Sequence, residues 1–150
     1  MTAVRRTPLI TAFWRLHRAL FELSGGRFIA STNGFPVLVL VSRGRKSGAA
    51  KRVALQHLPE GDAYVVIASF AGEPRHPSWW LNLRADPEAE VRVAGRATRV
   101  RAREAEGAER ERLWSRFVAI DPAYEVYQRR TTRRIPVVVL EPVATAPPRA

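Results

Sequence analysis

Cysteine is absent from the 150 residues, which excludes disulfides, thiolate nucleophiles and Cys-ligated zinc or iron–sulfur sites. Histidine is scarce: His17, His57 and His76 fall on separate expected elements without ligand-type spacing, so structural or surface roles are expected rather than a zinc centre. No apolar run approaches the roughly 18 residues that a membrane-spanning helix needs. Lysine is nearly missing, with Lys46 and Lys51 alone among 25 basic residues. Acidic residues number only 14, leaving a formal charge of +11. That balance favours an anionic partner such as nucleic acid, an acidic membrane face or a polyanionic cofactor. A GC-rich genome also enriches arginine, so charge by itself does not single out nucleic acid. The length fits one domain with one sizeable core.

What is present reads as short strands with helices between them. Over residues 7–23, Leu9, Phe13, Leu16, Leu20 and Leu23 form one apolar stripe on a helix that Gly25-Gly26 ends. Arg15 and Arg18 lie off that stripe, so this helix either packs over a barrel end or rests on an anionic membrane surface. Arg5-Arg6 and the apolar residues after them resemble the start of a signal peptide. Arg15, His17 and Arg18 cut that region short, and a cytoplasmic protein is expected, with peripheral contact at the inner membrane face as the variant.

Residues 36–42, 52–58 and 63–69 read as a three-strand meander, with turn chemistry at Pro59-Glu-Gly-Asp62. Ser78 is expected to cap a short helix carrying Trp79 and Trp80 that Asp86-Pro87 stops. Residues 91–93 and 98–103 alternate as a hairpin with Arg92, Arg99, Arg101 and Arg103 on a wet face. Those arginines read as solvated strand residues, because the interleaved aromatics that single-stranded nucleic acid stacks on are missing. A helix is expected over 107–120, and a second, opened by Pro122, carries Tyr124 and Tyr127 on one face. Residues 135–141 close as a strand, and the proline-containing tail 143–150 is expected to be disordered. Six antiparallel strands curled into a small barrel with helical lids is the expected architecture, mainly β with flanking helices.

The loop Gly44-Arg-Lys-Ser-Gly48 ends the first strand of the meander. Read alone it is either a solvated hairpin turn or an anion clamp. It is not a Walker A loop, which requires glycine where Arg45 and Leu40 stand.

Several stretches together resemble the deazaflavin-dependent nitroreductase family of actinobacteria over residues 35–142. They are the loop 44–48, Val65-Val-Ile-Ala-Ser69, the stretch from His76 to Pro87, Pro122-Ala-Tyr-Glu-Val-Tyr-Gln128 and Ile135-Pro-Val-Val-Val-Leu-Glu-Pro142. The resemblance implies an FMN-binding type of split β-barrel. It also implies coenzyme F-420, an 8-hydroxy-5-deazaflavin with a phosphate and polyglutamate tail, with FMN as the alternative cofactor. Carried over residue by residue, Arg45, Lys46 and Lys51 match phosphate-binding positions, with Ser47 and Gly48 adding donors. Ala68 and Ser69 match positions beside the deazaflavin ring, and Trp79 and Trp80 match the aromatic pair of the following helix. Tyr124 and Tyr127 match tyrosines of the acceptor pocket, where they and Ser69 are the expected catalytic set.

Two positions depart from the relative known for activating nitroimidazole drugs, which has tyrosine in place of Asp121 and lysine in place of Phe70. The departures bear on the acceptor rather than on the cofactor. The implied activity is hydride transfer from the reduced deazaflavin to a quinone, an enone or a nitroaromatic. The competing reading is a non-catalytic split-barrel carrier of lipid, flavin or heme. No nucleic acid is expected, and monomer and homodimer are both open.

Overall fold

A computed structural model describes residues 31–32 and 34–144. The helix expected over 7–23 lies outside them, as does the tail beyond residue 144. The strands are β1 (Ser31–Thr32), β2 (Phe35–Arg43), β3 (Ala50–Gln56), β4 (Leu58–Glu60), β5 (Ala63–Ile67), β6 (Glu88–Val93), β7 (Arg96–Glu104) and β8 (Val137–Pro142). The helices are α1 (Ser78–Ala85), α2 (Gly107–Ile120) and α3 (Ala123–Arg129).

The strands close into a ring through one bend. β3 pairs with β2 from Val37↔Gln56 to Arg43↔Ala50, whereas β4 pairs with β5 from Leu58↔Val65 to Glu60↔Ala63. His57, between them, donates its backbone N–H to Pro36 O at 2.9 Å. The stretch expected as one strand over 52–58 is therefore two, because the chain changes partner at this residue. The remaining order, β2-β6-β7-β8-β5, is antiparallel at every step. Counting β3 and β4 as one bent strand gives the six-stranded split barrel.

Alternation along the strands separates two cores. Leu38 and Leu40 of β2, Val66 of β5, Val91, Val100, Val138 and Leu140 pack together with Trp79, Trp80 and Leu83 of α1. This cluster draws on strands all round the ring and fills its interior. Residues of opposite parity, Val65, Ile67, Val137 and Val139, join Phe35 under α2 and α3, whose Leu113, Phe117 and Tyr124 are buried there. The unbroken apolar run of β2 has Leu38 and Leu40 in the interior cluster, while Val37 and Val39 of opposite parity form a separate small cluster with Val41 and Ala54.

The arginines of the β6–β7 face are answered by carboxylates. Arg92 meets Glu90 at 2.5 Å, Arg99 and Arg101 meet Glu88 at 3.3 and 3.7 Å, and Arg103 is shared between Glu109 and Glu141. Glu60 likewise ties β4 to Arg112 and Arg116 of α2 at 2.7 and 2.5 Å. Among the described residues, no helix is long and apolar enough to cross a membrane.

Candidate active site

The basic loop is a tight turn joining β2 to β3. Gly44 N–H donates to Ala49 O and Gly48 N–H to Gly44 O, both at 2.8 Å, and Ala49 N–H donates to Ser47 Oγ at 3.2 Å. Gly48 takes φ +71°, a conformation that glycine adopts without steric cost, so its contribution is to the turn itself. Across the loop, α1 supplies an anchor. Asn82 is 5% exposed, and its Oδ1 accepts from the backbone N–H of Arg45 at 3.1 Å and from Arg45 Nη1 at 2.8 Å.

Between loop, β3 and α1 lies an open cleft of about 850 Å³. Its seventeen lining residues include Arg45, Lys46, Lys51 and Arg52 and no carboxylate. None of these four cations pairs with a carboxylate among the described residues. In contrast with the paired arginines of β6 and β7, the cleft gathers four positive charges that no described carboxylate compensates. Further along β3, Val53, Ala54 and Leu55, with Ile67 and Trp79, supply its apolar lining. A cleft with one cationic and one apolar end fits a flat ring carrying an anionic tail, and the donor set fits phosphate and carboxylate oxygens.

At the mouth, Ser69 and Phe70 line the cleft where the chain leaves β5. Phe70, Ala71 and Gly72 take φ of 46°, 53° and 78°, three consecutive left-handed residues. This turn shortens the strand expected over 63–69, and Gly72 is required there: a Cβ would stand 2.6 Å from Tyr127 O of α3.

Of the residues singled out from sequence, Arg45, Lys46, Ser47, Lys51, Ser69 and Trp79 come together on this cleft. Ala68 is fully buried beside it, and Trp80, 5% exposed, packs in the barrel interior. Ser78 is the first residue of α1 rather than its cap, since Pro77 precedes it and its carbonyl accepts the first helical bond from Trp80 N–H. Tyr124 and Tyr127 are not among the described lining residues. Tyr124 is a core residue, with ring centroids 5.4 Å from Phe117 and 5.8 Å from Phe35, and its hydroxyl donates to Gln56 Oε1 at 2.7 Å. Burial first, then the negative charge of Asp121, pushes its hydroxyl pKa well above the ordinary tyrosine value. Tyr127 is half-buried, edge-on to Tyr124 and beneath Arg130 at 5.7 Å. Asp121 accepts from Ala123 N–H at 3.0 Å and so braces the start of α3.

Sequence reasoning missed Arg52 and Asn82 as cleft residues, whereas Phe70, expected to bear on the acceptor, lines the cleft. Arg52 follows Lys51 on the same strand and was the most accessible of these signals. Asn82 carries no motif of its own.

Comparisons with known proteins bear on the family of the chain. The family model described as F420H(2)-dependent quinone reductase matches residues 13–142. A Mycobacterium tuberculosis protein described as an F420H(2)-dependent quinone reductase is 37% identical over 131 residues, covering 84% of this chain and 87% of its own length. A solved structure described as an F420-H2 dependent reductase is 38% identical with TM-score 0.65, over 71% of this chain and 94% of that one. Another, described as a domain-swapped dimer, is 32% identical with TM-score 0.67 and covers 90% of this chain and all of that one. On the match of the model across nearly the whole barrel and its flanks, the chain belongs to the F420H(2)-dependent quinone reductase family.

Proposed function

We propose that this protein reduces a quinone with reduced coenzyme F-420, and that the cleft between the basic loop and α1 is where it does so. The observation that carries the reading is the carboxylate-free cluster of Arg45, Lys46, Lys51 and Arg52 at one end of an apolar cleft. A polyanionic tail is attracted there and repelled by no group on the wall. Arg45, held by Asn82, presents a fixed guanidinium to phosphate, while Lys46, Lys51 and Arg52 are free to follow a longer acidic tail. Ser47 keeps its hydroxyl proton for a further bond, because its bond to Ala49 uses only an oxygen lone pair.

Toward the apolar end, Val53, Leu55, Ile67 and Trp79 exclude water from the faces of a planar ring. When bound, the reduced deazaflavin supplies a hydride from its C5 carbon. The protein's part is orientation. Ser69 lies on the cleft wall with its hydroxyl uncommitted to any described residue, so it is placed to donate a hydrogen bond to a carbonyl in the cleft. Tyr127 belongs to the acceptor side of the proposal, since its helix abuts the Phe70–Gly72 turn. Tyr124, with its hydroxyl on Gln56, supports that helix.

The test is turnover of the purified protein with reduced F-420 and a soluble naphthoquinone, followed by the return of oxidised deazaflavin fluorescence. FMN and heme serve as comparison ligands. Saturable quinone reduction supports the reading; binding of FMN or heme with no deazaflavin turnover would favour a carrier. Two partner proposals accompany it. A second copy of the chain is supported by the relative described as a domain-swapped dimer and is tested by light scattering. Peripheral contact with anionic membrane through the segment 7–23 is supported by Arg15 and Arg18 beside its apolar stripe and is tested by vesicle co-sedimentation.

A further inference from the structure

Arg133 lies between α3 and β8, far in sequence from the cleft. Its guanidinium nevertheless reaches the chain at the cleft mouth. Nη2 donates to Ser69 O at 2.7 Å, Nε to Glu73 O at 2.9 Å and Nη1 to Ala68 O at 3.2 Å. Nη1 also stands 3.2 Å from His76 Nδ1. Two of these carbonyls precede the left-handed turn and one follows it, so a single planar fork bridges the turn from end to end. No described carboxylate pairs with Arg133.

The turn needs holding. Phe70 and Ala71 carry Cβ atoms in a region where L-residues are crowded, and such a conformation persists only where its surroundings over-determine it. Inside the turn, Gly72 N–H donates to Ser69 O at 2.9 Å and Glu73 N–H to Phe70 O at 3.0 Å. On one side Gly72 is packed against α3, and on the other the guanidinium gathers the ends. Ser69 and Phe70 are the residues this arrangement presents to the cleft.

We propose that Arg133 is a positioning residue whose guanidinium holds the Phe70–Gly72 turn in its left-handed form and thereby fixes the Ser69–Phe70 wall beside the reacting ring and its acceptor. The inference rests on the reading of the cleft as the deazaflavin site. Arginine is suited to the task because its donors point in a fixed fork toward carbonyls on both sides of a turn, which a lysine ammonium does not match.

The experiment has two readouts. Amide exchange on the ligand-free protein compares wild type with Arg133→Gln and Arg133→Lys. Gly72 and Glu73 amides are expected to exchange about tenfold faster in both variants, with β2 and β8 unchanged. In steady-state kinetics kcat should fall about tenfold while affinity for oxidised F-420 stays within about threefold, since the basic loop is untouched. Adding Ala71→Gly to Arg133→Gln relieves the crowded backbone and should recover at least about threefold of kcat together with part of the protection. Uniformly faster exchange with no recovery by Ala71→Gly would mean that Arg133 only supports the fold, and would overturn the proposal. Unchanged exchange at Gly72 and Glu73 would overturn it whether or not turnover is seen. If the exchange response appears as expected but wild type binds no deazaflavin, the turn-holding stands and the assignment of the cleft, with the catalytic half of the inference, falls.

Discussion

Replacing Asn82 by aspartate separates the two things the cleft wall does. Asn82 Oδ1 accepts both the backbone N–H and Nη1 of Arg45, at 3.1 and 2.8 Å. In Asn82→Asp a carboxylate oxygen of the same shape keeps both bonds and strengthens the one to the guanidinium. The burial cost of the new charge and its attraction to Arg45 nearly cancel, so unfolding free energy should move by no more than about 1 kcal/mol. Binding should respond quite differently, because a negative charge now stands on a wall that has none. At a separation of about 8 Å and an effective dielectric constant of about 20, Coulomb's law gives about 2 kcal/mol of repulsion per ligand charge, reduced to about 1 kcal/mol at ordinary salt. Affinity for oxidised F-420 should therefore fall about fivefold to thirtyfold, with a weaker salt dependence than wild type. Fluorescence titration at two salt concentrations, beside a thermal melt, reads both quantities. Unchanged affinity at low salt in a variant that melts normally would refute the claim that this wall is an anion site.

Tyr124→Phe should remove the bond to Gln56 and cost about 1 kcal/mol, lowering the melting temperature by about 2–4 °C while kcat/KM stays within about twofold. A tenfold loss of turnover at an unchanged melting temperature would instead put its hydroxyl in the chemistry. His57 is buried against the edge of Tyr64, and burial holds its pKa below the ordinary value of 6.5. The unfolded chain then binds the extra proton more readily, so the contribution of neutral His57 is complete above pH 6.5 and is lost as pH falls below it toward the depressed folded value. Denaturant unfolding from pH 7.5 to 5 should show that decline, and His57→Gln should make it shallower. The same slope in both proteins would contradict this account of His57.

The parts legible in the sequence were those written in contiguous residues. The apolar run of β2, the glycines of the basic loop and the Val-rich β5 and β8 each announce themselves within a few positions, and their pairing follows from alternation. The bend at His57 was not legible, because nothing local says that a strand will trade β2 for β5. β1 was missed although Asn33-Gly34, between Thr32 and its partner Phe35, is a two-residue hairpin signal. In the site, the three-residue step from Tyr124 to Tyr127 showed a shared helix face but not that Tyr124 meets Phe35 and Phe117 there. Asn82 and Arg133 act on residues at least 37 and 57 positions away, through single polar side chains, a separation that no spacing rule spans.

Comparing the whole coenzyme with the same 8-hydroxy-5-deazaflavin lacking phosphate and glutamates tests the central claim most directly. If the cleft holds the ring on Val53, Leu55, Ile67 and Trp79 and the tail on Arg45, Lys46, Lys51 and Arg52, the two ligands share one contact set and differ in the other. Two charge-assisted contacts of about 1.5 kcal/mol each correspond to a preference of roughly a hundredfold for the whole coenzyme in wild type. In Arg45→Ala/Lys46→Ala that preference should shrink to about tenfold or less, while affinity for the tail-less ring is unchanged. Equal affinities for the two ligands in wild type, or a preference that survives the double substitution, would contradict the account.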